Sequence, residues 1–422
     1  MAEPGPLAIR PMRADDDIDA ELDLRHRAFG PMDGARLGYW RTEVLANIEQ
    51  SRQYGVWSAG ELIGAARFYD MRQWWHGLAQ PMAGVAGVKV APEARGLGVG
   101  RALMTALLGE MASRGYALSV LYPATAHLYR SLGWELAGGH YRAEMPGRSL
   151  VSLLPPDPRV PPDPGAPPGA SPPAGAPRPA VRRAGPDDAE KLTGVLGAVH
   201  AAARDCGPVT WDTGSARRWL ARTDLFAYLA EDGFLGYGWH GDGHDEIMVH
   251  YLQAASPATA RALWGIVASH ASVTKVVHAA VGPADPIAWL TPEPDVRVRR
   301  HKTWMLRVLD ARAAIAGRGF PVSARAGVPM LLADPELAAN AGPHTLSVSD
   351  GRGSLTHGIT ARAGESFATP PVRLGPRGFA ALFAGVPMAT LRAAGLAADG
   401  DRAADEALDD AFGCLPYLLD YF

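Results

Sequence analysis

The sequence predicts an α/β (α+β) fold in three units. Three observations carry this: strand and helix patterns alternate over residues 1–154, a similar layout returns over 181–309, and a proline-rich stretch parts the two. A chain of 422 residues also exceeds one ordinary core.

In the first unit, Leu7–Ile9 opens a strand, and Asp15–Phe29 has helical spacing with acids at its start. Tyr54–Ser58 and Glu61–Tyr69 form a hairpin around Ala59 and Gly60. A strand over Ala83–Val90, an amphipathic helix over Gly98–Arg114 and a strand over Ala117–Tyr122 follow. A short helix over Thr125–Leu132 and a strand near Gly133–Ala137 complete the unit. This order gives a mixed sheet with its ligand crevice beside the central strands.

Residues 155–180 hold runs of proline, which fixes φ and lacks an N–H, so a semi-extended linker is expected there. The second unit, 181–309, opens with a strand at Val181–Ala184 and a helix. Strands near Leu225–Leu229, Gly233–Trp239 and Glu246–Leu252 come next, then a helix from Ser256 through His270. Its counterpart of the first unit's glycine loop, Ala254–Leu263, has no glycine and so no backbone cradle for phosphate; this half reads as structural. The third unit, 310–422, has a strand at Thr345–Ser349 before the turn pair Asp350-Gly351. Helices are expected at Arg377–Ala384, Ala389–Ala394 and Asp401–Cys414. The apolar end Leu418–Phe422 is expected to pack into the body rather than fray.

A net charge of −3 calls for neither a nucleic-acid nor an anionic-membrane partner, though acids converging on one cleft would draw cationic small molecules. Two cysteines far apart, Cys206 and Cys414, make a disulfide framework unsupported. The N-terminus lacks a signal-peptide pattern and no apolar run is long enough to span a membrane, so a cytoplasmic protein is expected. No His/Cys spacing points to a metal.

The strongest chemical signal is Arg95-Gly96-Leu97-Gly98-Val99-Gly100-Arg101, between the strand ending Val88-Lys89-Val90-Ala91-Pro92 and a helix. Glycines permit close approach and φ > 0, and the helix N-terminus offers free N–H groups, so pyrophosphate is the natural occupant. Arg95 and Arg101 add positive charge. By itself such a loop can be only a tight turn. It lacks the Gly-Lys-Ser/Thr of a Walker loop and the spacing of a dinucleotide fingerprint.

In this context the segment resembles the acetyl-CoA site of the GNAT superfamily of N-acetyltransferases. The resemblance implies that acetyl-CoA lies along residues 85–90 (Val88, Lys89 and Val90 among them), its pantetheine paired with the strand and its thioester polarised by an N–H of Val88 or a neighbour. A tyrosine after the next strand would protonate the leaving thiolate. Tyr122 and Tyr129 are candidates; Tyr129 is preferred because such enzymes place that short helix near the thioester.

Along nearly its whole length the chain further resembles the enhanced intracellular survival family of bacterial acetyltransferases. The shared features are Val88–Pro92, Leu128-Tyr129-Arg130-Ser131-Leu132-Gly133-Trp134, Trp304–Asp310 and the aromatic last residue. The resemblance implies tandem GNAT folds, the second degenerate, then a sterol-carrier-protein-like α+β domain at 310–422. It implies that the Phe422 carboxylate acts as base toward the acceptor amine. At an α-carboxyl pKa of about 3.5, that group orients the amine more than it deprotonates it. It also implies a hexamer and aminoglycoside or other small polyamine acceptors. Two features depart from that family: the loop carries fewer basic residues, and the linker is long. For the acceptor, the candidate residues are Asp15, Asp16, Asp17, Asp19 and Asp420, with Phe29, Trp40, Trp74, Trp75 and His76. Acids at a helix start are more often caps, and aromatics more often core. Two other readings stand beside this one: a lysine Nε-acetyltransferase of peptides or proteins, and a lipid-binding protein on a vestigial acetyltransferase scaffold.

Overall fold

The computed structural model describes residues 6–32, 34–154, 179–241, 243–292, 295–358 and 370–422. All but the last two residues of the expected linker lie outside this set. Two units result. One comprises Met1–Gly138, Thr303–Pro416 and Phe422; the other comprises Gly139–Lys302 and Tyr417–Tyr421.

The first unit begins β1 (Ala8–Pro11), α1 (Ile18–Phe29), α2 (Gly34–Glu49), β2 (Gln53–Ser58), β3 (Glu61–Trp75) and β4 (Leu78–Val90). It continues α3 (Val99–Ser113), β5 (Leu118–Leu121), α4 (Ala126–Ser131) and the first residues of β6 (Glu135–Pro146). Asp17 starts α1 by accepting from the amides of Asp19 and Ala20. Helix α2 has no counterpart among the expected elements, because Gly34 and Gly38 weaken its helix propensity. Tertiary burial overrides that: Trp40, Val44 and Ile48, each four residues apart, pack with Met12.

The expected hairpin forms between β2 and β3, with Ala59 and Gly60 both at positive φ, as a two-residue turn of this hand requires. β3 then runs on to Trp75 and returns as β4. Sheet order is β1, β2, β3, β4, β5, all antiparallel except β4 with β5. Met305–Val308 add antiparallel to β5. Helix α3 buries Val99, Leu103, Met104, Leu107, Leu108 and Met111 in a core with Phe68, Val85, Leu121 and Trp134.

The same unit holds a five-stranded sheet in the order Arg352–His357, Gly342–Ser349, Ala326–Leu332, Val372–Leu374, Ala397–Ala398. The turn at Asp350 and Gly351 joins its first two strands as expected, and helices Pro376–Phe383, Met388–Ala393 and Arg402–Phe412 follow. Arg318 is fully buried there, its guanidinium between Trp75, Phe383, Phe412 and Phe320 at 4.9–5.4 Å from the ring centres.

In the second unit, residues 141–146 of β6 pair with Val276–Val281. Glu246–Ala254, Gly233–His240, Phe226–Leu229 and Arg182–Arg183 then follow in order. Ser256 caps helix Pro257–Ala268 by accepting from the Thr259 amide, so this helix start already has a partner from the protein. A strand at Cys206–Trp211 and a helix at Thr213–Leu220 are additional to the expected elements. Tyr417 and Leu418 pair in parallel with Gly139 and His140, and Leu418, Leu419 and Asp420 are buried.

Candidate functional site

The site grows from a mismatch in strand pairing. β4 and β5 pair from Met82–Leu118 to Val85–Leu121, and there β5 ends while β4 continues to Val90. On its other edge β4 carries a bulge: Ala65 faces Lys89 and Arg67 faces Ala86, so Ala66 of β3 is matched by two residues of β4, Gly87 and Val88. Gly87 takes φ +60° within it. The result is a stretch of strand, 86–90, paired by β3 alone. An extended ligand can add to its open edge as a further strand.

Just beyond lies the glycine loop. Gly96 and Gly98 both have φ +79°, and Gly98 is the N-cap of α3 with no side chain capping the free N–H groups. A Cβ at either would meet nothing within 4 Å, so the space above the loop is open. Gly100 differs from expectation: it sits inside the first turn of α3 and needs no positive φ. Val99 is buried and Leu97 half-buried beneath the loop, while Arg95 is exposed. Arg101 turns to Ser131 Oγ (2.8 Å) and Glu336 (3.0 Å). Uncapped amides, open space and an Arg beside them fit a diphosphate ester, as acetyl-CoA presents. Gly98→Glu is expected to raise the Kd for acetyl-CoA ten- to a hundredfold by calorimetry. A non-glycine residue there costs about 1–2 kcal/mol before charge repulsion is added.

Tyr129 lies on α4, 5% exposed, its ring edge-on to Trp134 at 6.4 Å. Burial pushes its phenol up to about 12, so it holds its proton at any working pH. Tyr122, just past β5, has its ring 5.7 Å from that of Phe422, and Tyr69 of β3 stands 6.3 Å from the same ring. The Phe422 ring closes over Gly84 of β4: a Cβ there would lie 2.9 Å from it. The last residue is thus seated on the strand that carries the open edge.

Beneath the bulge is an ion cluster that the sequence reading missed. Lys89 Nζ lies 2.6 Å from Glu21 of α1 and 3.3 Å from the Gly87 carbonyl, with both side chains almost wholly buried. Gln53 donates to the same Glu21 oxygen. Burial pulls the Lys89 ammonium down, and Glu21 opposes it. A lysine between two valines in an apolar strand was the available signal, since a buried cation needs a counter-charge.

The acceptor candidates do not come together. Asp16 is paired with Arg10, Asp17 caps α1 and Asp19 meets Arg41. Phe29 is half exposed at the end of α1; Trp40 belongs to the α2 core and Trp75 packs on Phe383. His76 makes the tight turn between β3 and β4, with Trp74 at the end of the hairpin before it. Asp420 belongs to the second unit, where the Tyr251 hydroxyl donates to it and burial pushes its carboxyl up to about 8.

Residues 8–137 and 207–308 each match the acetyltransferase (GNAT) domain family. A crystal structure of a GCN5-related N-acetyltransferase from Kribbella flavida is 40% identical, over 99% of this chain and 98% of that one, with a TM-score of 0.85. The chain belongs to the GCN5-related N-acetyltransferase family. As a member it is an acetyltransferase with tandem GNAT domains on a mixed α/β fold, and enzymes of this family use acetyl-CoA. An uncharacterised N-acetyltransferase of Streptomyces avermitilis is 26% identical over 328 residues, 72% of this chain and 74% of its own. Eis1 from Mycobacterium abscessus, 22% identical over 99% of this chain and 100% of its own, shares the fold at a TM-score of 0.71. Among the described residues no helix is long and apolar enough to cross a membrane.

Proposed function

We propose that this acetyltransferase is of the enhanced intracellular survival type and acetylates amines of small polyamines such as aminoglycosides. The observation that carries the reading is Phe422, whose ring is seated on Gly84 of the donor strand, between Tyr69 and Tyr122. On this reading β4 aligns the thioester along its open edge and an amide near Val88 polarises the carbonyl. The Phe422 carboxylate orients the ammonium of the acceptor and stabilises its charge while it loses a proton. Tyr129 donates to the departing sulfur. The same reading gives a catalytic domain at 1–154, a linker at 155–180, a degenerate GNAT domain at 181–309 and a sterol-carrier-like domain at 310–422, assembled as a hexamer. Asp16, Asp17 and Asp19 are engaged in capping and in pairs with arginine, so the acceptor is held chiefly by the terminal carboxylate and by ring walls.

The test is thiol release from acetyl-CoA against aminoglycosides, simple polyamines and a lysine peptide. Turnover with the first two, and more than one acetyl per aminoglycoside by mass spectrometry, is the expected result. Turnover with the peptide alone would transfer the assignment to lysine acetylation.

A further inference from the structure

We propose that a cavity between α4 and the loops around 335 and 376 is the subsite for the 3′-phosphate of the donor's adenosine, read by Arg130 and Arg377. The cavity measures about 180 Å³, and its walls include Arg130, Ser131, Glu336, Pro376 and Arg377. Both arginines are held by one carboxylate. Arg130 gives Nε and Nη2 to one oxygen of Glu135, at 2.9 and 2.7 Å, and Arg377 gives Nε to the other at 2.6 Å. Glu135 itself is only 5% exposed at its side chain, while each arginine remains 38% exposed. Two cations on one buried anion leave a net positive charge. Each guanidinium also keeps its Nη1 without a partner among the described residues, in the fixed fork that suits a phosphate.

The position of the cavity argues for the ligand. Arg101 lies in the first turn of α3, just past the glycine loop, and the two side chains it bonds, Ser131 and Glu336, are both cavity walls. One side chain thus ties the helix that starts at the diphosphate loop to two walls of the cavity. Arg130 and Ser131, on the same short helix as Tyr129, belong to the cavity walls. A ligand with its diphosphate on α3 and its thioester near Tyr129 has its nucleoside end at the same loop. A phosphate monoester there meets the positively charged arginine pair in the cavity wall. Glu336 does not oppose this, since Arg101 already neutralises it. The catalytic domain alone would lack Arg377, so discrimination for the phosphorylated donor would be completed by residues far along the chain.

This inference rests on the acetyl-CoA site described above, and the experiment separates the two. Calorimetry measures the Kd of CoA, 3′-dephospho-CoA and inorganic phosphate on the full chain. Wild type is expected to prefer CoA to dephospho-CoA by about ten- to a hundredfold, the scale of one charge-assisted contact. Arg377→Ala is expected to remove most of that preference by weakening CoA while leaving the dephospho-CoA Kd unchanged; Arg377→Lys restores part of it. Thermal unfolding monitors Glu135, which keeps Arg130 in either variant. An unchanged preference in a folded Arg377→Ala or Arg377→Lys protein would overturn the proposal, as would a wild type that binds both ligands equally. If phosphate alone binds and CoA shows no preference, the cavity is a site for a free anion and the proposal is again overturned. Failure of both CoA forms to bind would remove the donor site itself.

Discussion

Replacing Tyr129 with phenylalanine is expected to lower kcat by about 10²–10⁴, with the Kd for acetyl-CoA close to that of wild type. The substitution isolates one hydroxyl. The ring keeps its place against Trp134, and the hydroxyl has no hydrogen-bond partner among the described residues, so stability should change little. Burial sets the character of this acid. A phenol held at about 12 is a poor match for full transfer to a thiolate, whose conjugate acid titrates near about 8.5. In the proposed role its contribution would therefore be hydrogen-bond donation to sulfur as negative charge develops, with the proton crossing late. The sign of the shift fixes the pH behaviour. A raised pKa keeps the donor form present through neutral and mildly alkaline pH, so any alkaline limb below about pH 11 belongs to another group. The Tyr129→Phe profile should thus keep the wild-type shape at reduced height. Tyr122→Phe is the control: a large loss there, with Tyr129→Phe near wild type, would move the role to the residue beside Phe422.

What the sequence could reveal here follows from how local each cause is. The glycine loop, the turn at Ala59-Gly60 and the caps at Asp17 and Ser256 are local chemistry, and the structure has them where their residues stand. Helix α2 was hidden because its glycines speak against it, and only the pocket formed with Met12 makes Trp40, Val44 and Ile48 a helical face. The gap between β4 and β5 depends on where a parallel partner stops, which no single-strand pattern contains. The same holds for the Glu21–Lys89 pair, which joins α1 to β4. Clustering of acids at 15–19 suggests an acceptor pocket, yet the partners of Asp16 and Asp19, Arg10 and Arg41, lie on other elements. Clustering in sequence said only that a helix begins there.

Extending the chain beyond Phe422 is expected to cut kcat by at least about 10²-fold while acetyl-CoA still binds, because a small misplacement of a positioning group is enough for that loss. The end of the chain is tightly held. Tyr417 and Leu418 pair with a strand, Leu419 and Asp420 are buried, and Asp420 takes the Tyr251 hydroxyl. Tyr421 is 64% exposed, and Phe422 then lays its ring on Gly84. An added peptide would convert the carboxylate into a neutral amide at this one point and force the chain out past the rings of Tyr69 and Tyr122. A second variant reaches the same group without altering the end. Gly84→Ala would put a Cβ 2.9 Å from the Phe422 ring and 3.2 Å from Met71 Sδ, closer than such carbons pack. If the carboxylate orients the amine, Gly84→Ala should depress kcat and raise the acceptor KM with little change in the Kd of acetyl-CoA. Removing the extension with a protease should restore the first protein and leave the second impaired. A tagged enzyme with the wild-type kcat would exclude the terminal carboxylate from the reaction, and a Gly84→Ala enzyme of full activity would exclude the seating of Phe422 as its means of placement.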